Sequence, residues 1–305
     1  MASIKLCVSS YGRDKEHSLS LYTINVDKKS YQISDSLALT EPSFCISYHD
    51  IIFTYSKEPL ELYMIKVINN KLEIIDRLSL PFETLTHLYY DEIHHSLYGA
   101  SYKNGKLVKV NIINQRFGEH TIKDIGGTCH CIIKNETKGF LYEANLVKDE
   151  IHQFDRDLNL LDTYTFPKGS GPRHLLIEDN NMYVVTELSN ELYKIKLDDH
   201  SYIKTSTLTP NFKGVSYGAT ILSDDKYLYV SNRGEESINV FDKDLMFIKS
   251  LSCYGEHPRH MIWDDNKDYI ISFNKDSNNI SFINKDNELL FEIPYSKVSC
   301  GCIIK

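Results

Sequence analysis

The chain has 305 residues, 42% hydrophobic and 25% charged, an ordinary balance for a globular protein able to bury a sizeable core. Its formal net charge of −8 argues against nucleic acid as a partner, so an anionic ligand would need a local basic pocket. No run of about 18 apolar residues appears and the N-terminus enters directly into a strand-like segment, so no membrane partner and a cytoplasmic location are expected.

With 21 Tyr and 13 Phe beside only 14 Gly and 8 Pro, the composition favours strands. In chain order the first predicted strands are 4–9, 19–26 and 31–39. A new strand then begins at Ser43-Phe44-Cys45, and the same event recurs at Thr86-His87, Cys129-His130-Cys131, Arg173-His174, Tyr217-Gly218, Arg259-His260 and Cys300-Gly301-Cys302. Taking Phe44, His87, His130, His174, Gly218, His260 and Cys302 as markers, the steps are 43, 43, 44, 44, 42 and 42 residues. A repeat of this length cannot bury an apolar face alone and must stack on its neighbours.

Local pattern decides what the repeat is. From His174 the chain reads His-Leu-Leu-Ile-Glu, a turn at Asp179-Asn180-Asn181, then Met-Tyr-Val-Val-Thr-Glu. A second turn at Ser189-Asn190 leads to Glu-Leu-Tyr-Lys-Ile-Lys-Leu, and a third at Asp198-Asp199-His200 to Ser-Tyr-Ile-Lys-Thr-Ser-Thr-Leu. β-Branched and aromatic residues between Asn/Asp/Ser turns make four short strands. No apolar helix period outlasts about two turns. The expected fold is therefore all-β, a seven-bladed β-propeller with four antiparallel strands per blade, forming a single domain over residues 1–305. Three N-terminal strands and one C-terminal strand, 299–305, complete one blade and close the ring, which removes the open edge.

The seven cysteines contain no Cys-x-x-Cys pair; Cys129/Cys131 and Cys300/Cys302 are Cys-x-Cys, too close for zinc-ribbon spacing. They are expected to be reduced and buried, and neither a metal nor another cofactor is expected.

In a propeller blade the innermost strand lines the channel and the second strand returns to the same face. Residues that start innermost strands and residues that end second strands therefore share one rim. His87, His130, Arg173, His174, Arg259 and His260 start innermost strands; Glu187 and Arg233 end second strands. Each has a structural reading too: an arginine can tie blades through backbone carbonyls, and Glu187 can form an ion pair with Arg173. Their convergence on one rim favours a site.

Gly171-Pro172-Arg173-His174, Glu187-Leu188, Tyr227-Leu-Tyr-Val-Ser-Asn-Arg233-Gly234 and Pro258-Arg259-His260 resemble the motifs of the propeller lactonase family. That family includes propeller-type 6-phosphogluconolactonases and fungal carboxymuconate cyclases. The resemblance is clearest from about His130 to Asn278. It places the family's histidine on His130, its arginines on Arg173 and Arg233, and its glutamate on Glu187. Two features depart from the pattern. The family's Asp-Leu-Gly-x-Asp reads Asn145-Leu146-Val147-Lys148-Asp149, which bears on the rim, and the Pro-Asp-Gly turns read Asp179-Asn180-Asn181 and Asp264-Asp265-Asn266.

The resemblance implies hydrolysis of a small anionic lactone, with 6-phosphogluconolactone as the expected substrate and a monomer or weak homodimer as the expected state. His130 would be the general base, Arg173 the donor to the lactone oxygen, and Glu187 the group that orients them. Arg233 and Arg259 would hold the anionic group, with His87, His174 and His260 also facing substrate. Alternatives are another anionic lactone, a muconate-like acid, or a non-catalytic propeller that binds a ligand or protein on its rim.

Overall fold

The computed structural model describes residues 3–13 and 18–305. Among the described residues it contains 28 strands in seven four-stranded sheets, arranged as the blades of a propeller. Blades 1 to 6 have as innermost strands Cys45–Tyr48, His87–Asp91, Cys129–Lys134, Pro172–Glu178, Tyr217–Ser223 and Pro258–Trp263. The seventh is the closure blade, with Val298–Ile304 innermost, then Ile4–Ser10, Leu19–Asn25 and Ser30–Leu37. Three strands from one end of the chain and one from the other thus complete the ring.

Burial grades outward within each blade, which explains the sequence pattern. The second strands Ile51–Ser56, Ser96–Ser101 and Tyr269–Asn274 are buried at every position. They have neighbouring blades on both faces, so they are built of apolar and aromatic residues with small or polar residues among them, such as Thr54, Ser101 and Asn274. The outermost strands, such as Ser30–Leu37 and Tyr202–Ser206, are largely exposed and carry the charges that discourage pairing at a sheet edge. The core lies between blades: Tyr229 packs edge-on against Trp263 at 4.9 Å, and Phe53 stacks on Tyr90 at 5.0 Å.

Buried asparagines strap one blade to the next. Asn145, Asn232 and Asn274 each lie at or next to the end of a second strand and are fully buried. Their Nδ2 atoms donate to Gly126 O at 2.9 Å, Thr207 O at 3.0 Å and Cys253 O at 3.0 Å. Each acceptor lies just past the outermost strand of the preceding blade. Asn145 is one member of this series and also accepts from Thr128 N at 3.0 Å. The family departure at Asn145 therefore concerns the join between blades and not the rim facing the channel.

Candidate active site

Three of the predicted site residues owe their direction to a local break in strand pairing. Along a regular strand, consecutive side chains point to opposite faces. In blade 3, Cys129 pairs with Asn145 and Cys131 with Ala144, which leaves His130 as an extra residue. In blade 4 Arg173 is extra between Pro172 and His174, and in blade 6 Arg259 is extra between Pro258 and His260. These β-bulges turn the side chain and allow adjacent residues to share one side. Arg173 with His174, and Arg259 with His260, accordingly line the same small cavity.

The loop leading into Arg173 is anchored from the preceding blade. The carboxylate of Asp149 accepts from Gly169 N and Gly171 N, both at 2.7 Å. Gly171 has φ +66°, and a Cβ there would meet the Leu188 side chain at 2.8 Å, so glycine is required on both counts. The neighbouring Glu187 donates its backbone N–H to Gly171 O at 2.7 Å, which sets the carboxylate beside the bulge.

Glu187 joins the two arginines. Its Oε2 lies 2.8 Å from Arg173 Nε, a charge contact without hydrogen-bond alignment, and 3.0 Å from Arg233 Nη2. Arg173, only 1% exposed, also donates from Nη1 to Ala219 O in blade 5 at 2.5 Å. Arg233 donates to Tyr217 O at 3.4 Å and Gly218 O at 3.0 Å. Burial opposes ionisation of Glu187, but Arg173, Arg233 and Arg259 outweigh it and hold the carboxyl below its usual range. Burial and then the charge of Arg233 bring Arg173 down to about 9 despite Glu187. The arginine pair thus carries more positive charge than its single carboxylate offsets.

The four predicted histidines of the channel lie together beneath this cluster. The ring of His174 stands 5.4 Å from His130, 5.7 Å from His87 and 6.0 Å from His260. Phe44 packs on His87 at 4.6 Å and His260 at 5.4 Å. Burial, followed by nearby cations, pushes His130 and His174 well below the usual imidazole value; Arg173 is the first of those cations in both. Burial likewise brings His87 to about 3 and His260 to about 4. All four are neutral at pH 7. His87 Nδ1 accepts from Ile132 N at 3.4 Å, whereas buried His130 Nδ1 has no protein partner.

A cavity of about 420 Å³ opens on this rim, lined by His130, Glu187 and Arg259 together with Tyr11, Lys57, Tyr102 and Lys103. Below it a space of about 20 Å³, enough for one water molecule, touches His130, Arg173, His174, Arg259 and His260. His87 and Arg233 stand behind the lining of both. Arg233 directs Nε and Nη2 to carbonyls and Glu187. A second cavity of about 460 Å³ lies on the opposite face, lined by Asp50, Asp264 and Asp265 among others, and contains none of the predicted residues.

Tyr11, Lys57 and Tyr102 were not among the site residues expected from sequence, although the same topological rule reaches them. Each follows directly on the end of a second strand, at Ser10, Ser56 and Ser101, as Glu187 follows Thr186. The ring of Tyr11 sits between two cations, with Arg259 at 5.0 Å and Lys57 at 5.8 Å. The rule applied in the closure blade and the first two blades as strictly as in the central ones reaches them.

Fold and rim define a seven-bladed propeller with a cationic, histidine-floored pocket at one mouth of its channel. The chain belongs to the family described as Lactonase, 7-bladed beta-propeller, whose model matches residues 5–289. It is 22% identical over 306 residues to a 6-phosphogluconolactonase of Bacillus subtilis, covering 88% of each chain. It is 29% identical over 217 residues to a 6-phosphogluconolactonase of Formosa agariphila, covering 61% of this chain and 59% of that one. The solved structure of a Pseudomonas aeruginosa periplasmic gluconolactonase superposes with a TM-score of 0.88 at 15% identity, covering 100% and 99% of the two chains, which shows the common fold.

Proposed function

We propose that the protein hydrolyses a small lactone bearing an anionic group, with 6-phosphogluconolactone as the substrate that best suits the rim. The observation that carries this reading is the cavity shared by His130, Glu187 and Arg259, with buried Arg173 directly behind it. Its volume falls in the usual range for small-molecule sites.

Lactone hydrolysis requires an activated water, a donor to the oxygen that becomes negative at the carbonyl, and a place for the rest of the substrate. His130 suits the first of these, because its neutral ring has an unpartnered buried nitrogen and borders a space the size of one water. It accepts the proton as the water oxygen attacks the carbonyl carbon. Cations that depress its basicity are offset when an anionic substrate binds, so the base gains strength in the complex. Arg173, fixed by Ala219 O and Glu187, donates to the developing oxyanion at little cost in reorganisation.

Arg259, Lys57 and Lys103 on the cavity wall take the phosphate or carboxylate. Arg233 acts behind them by holding Glu187, with Nη2 directed to Gly218 O and the Glu187 carboxylate. The test compares freshly made 6-phosphogluconolactone with unphosphorylated gluconolactone, for wild type and Arg259→Ala. The reading expects acceleration over the spontaneous rate, with the variant losing its preference for the phosphorylated lactone. No acceleration of either lactone would favour the binding-platform alternative.

A further inference from the structure

Four cysteines that are far apart in sequence meet at the seam where the ring closes. Cys302, on the innermost strand of the closure blade, is directly opposite Cys7 on the next strand. Cys300 shares a strand face with Cys302, because side chains alternate. Cys45 enters from the innermost strand of blade 1. All four are buried and unpaired by disulfides. Gly301, between two of them, cannot be larger: a Cβ there would approach the Phe273 ring at 2.6 Å and Cys7 O at 2.8 Å.

The sulfurs of Cys7, Cys45 and Cys302 all lie within 4.8 Å of one another, with Cys45 and Cys302 at 3.8 Å. The fourth thiol, Cys300, has its sulfur 3.5 Å from Cys45 O. A thiolate-bound zinc ion sits about 2.3 Å from each sulfur, which places two sulfurs of a tetrahedron about 3.8 Å apart. The Cys45–Cys302 separation already matches that spacing, and the Cys7 sulfur lies within 4.8 Å of both. Ligands are soft sulfurs only, which select zinc(II) or copper(I) over hard cations.

We propose that Cys7, Cys45 and Cys302 form a thiolate site for one closed-shell soft cation, and that this cation clamps the ring shut. The site is separate from the rim pocket and independent of the lactonase reading. Binding of zinc(II) forms three sulfur–metal bonds and breaks three S–H bonds, releasing three protons to solvent and leaving one net negative charge. Copper(I) bound in the same way would leave two, so burial favours zinc. Because Cys7 and Cys302 come from opposite ends of the chain, the three ligands converge only in the closed ring. The cation therefore binds the folded state selectively and stabilises it by mass action. No metal was expected from sequence because the spacings of Cys129/Cys131 and Cys300/Cys302 are too close for zinc-ribbon ligands; strand pairing across the closure is what brings Cys7, Cys45 and Cys302 together.

The experiment refolds the full chain under reducing conditions with zinc(II) in one arm and copper(I) in another, then measures bound metal after desalting. One equivalent of zinc per chain is expected, with a higher melting temperature than the chelator-treated protein. Cys7→Ser and Cys302→Ala should each lose the metal, whereas Cys253→Ser, a buried thiol elsewhere, should keep it. One equivalent in the copper arm alone would support the site and reassign its cation. Should a variant fail to fold, cobalt(II) titration of the wild type still decides the matter through its sulfur-to-cobalt charge-transfer band. Wild type without stoichiometric metal or that band would overturn the proposal, and so would a Cys45–Cys302 disulfide in the protein as isolated.

Discussion

Glu187 Oε2 lies 2.8 Å from Arg173 Nε, and this carboxylate is shared with Arg233 at 3.0 Å. Removing it leaves two buried guanidiniums facing each other. Glu187→Ala should therefore destabilise the fold by about 3 kcal/mol, the lower end for stripping one partner from a buried pair. It should also lower turnover, because Arg173 loses its orienting contact. Urea unfolding and lactone hydrolysis measured on the same preparation check both; an unchanged midpoint would show that the pair does not support the rim.

His130 should matter for turnover more than for binding. His130→Gln is expected to reduce kcat by about 10² to 10⁴, the usual worth of a positioned base, with KM little altered. The folded His130 loses its proton well below the ordinary imidazole value, chiefly through burial and then through Arg173. It is thus ready to accept a proton at neutral pH, and activity fails only as pH falls through that depressed value. The acid limb of kcat/KM should lie below about pH 6.5, the ordinary imidazole value; a limb centred at or above it would assign the base elsewhere.

Substrate charge should be read by the wall of the cavity. Arg259→Ala should raise KM for a phosphorylated lactone about tenfold or more and change the unphosphorylated one far less, since one charge-assisted contact is worth about 1.5–3 kcal/mol. Lys103→Ala should act in the same direction more weakly, because Lys103 is also paired with Glu83. Equal effects on both lactones would point to a role in shaping the pocket.

The buried imidazoles also predict how stability depends on pH. Burial depresses His87 to about 3 in the folded chain, while an unfolded imidazole keeps a value near 6.5. Between these the unfolded state holds more protons, so stability rises with pH up to about 6.5 and is lost as pH falls through that window. Melting temperature should drop from about pH 7 to about pH 5. His87→Gln, which retains an acceptor for Ile132 N–H but cannot be protonated there, should show a shallower drop.

The sequence disclosed the ring because short β-branched and aromatic strands are separated by turns that recur at nearly constant spacing. The predicted closing strands 4–9 and 299–305 lie within one residue at each end of the observed Ile4–Ser10 and Val298–Ile304. The rim positions of His130, Arg173, Glu187 and Arg259 followed from topology alone. What was not legible depended on three-dimensional detail. The bulges at His130, Arg173 and Arg259 leave no mark on a hydrophobic pattern, yet they decide where those side chains point. Asn145 read as a rim substitution until its hydrogen bonds to Gly126 and Thr128 showed it strapping two blades. Arg233, expected to hold the anion, directs Nε to Tyr217 O and Nη2 to Gly218 O and Glu187 and stands behind the cavity lining, which only the folded neighbours reveal.

The most direct test is the rate at which freshly made 6-phosphogluconolactone disappears with wild type and with Arg173→Met, each measured against the spontaneous reaction. The lactonase reading predicts clear acceleration by wild type and, in the variant, loss of about 10² or more with the propeller still folded. Acceleration of equal size by both proteins would contradict it, because the buried guanidinium behind the cavity would then have no part in the chemistry.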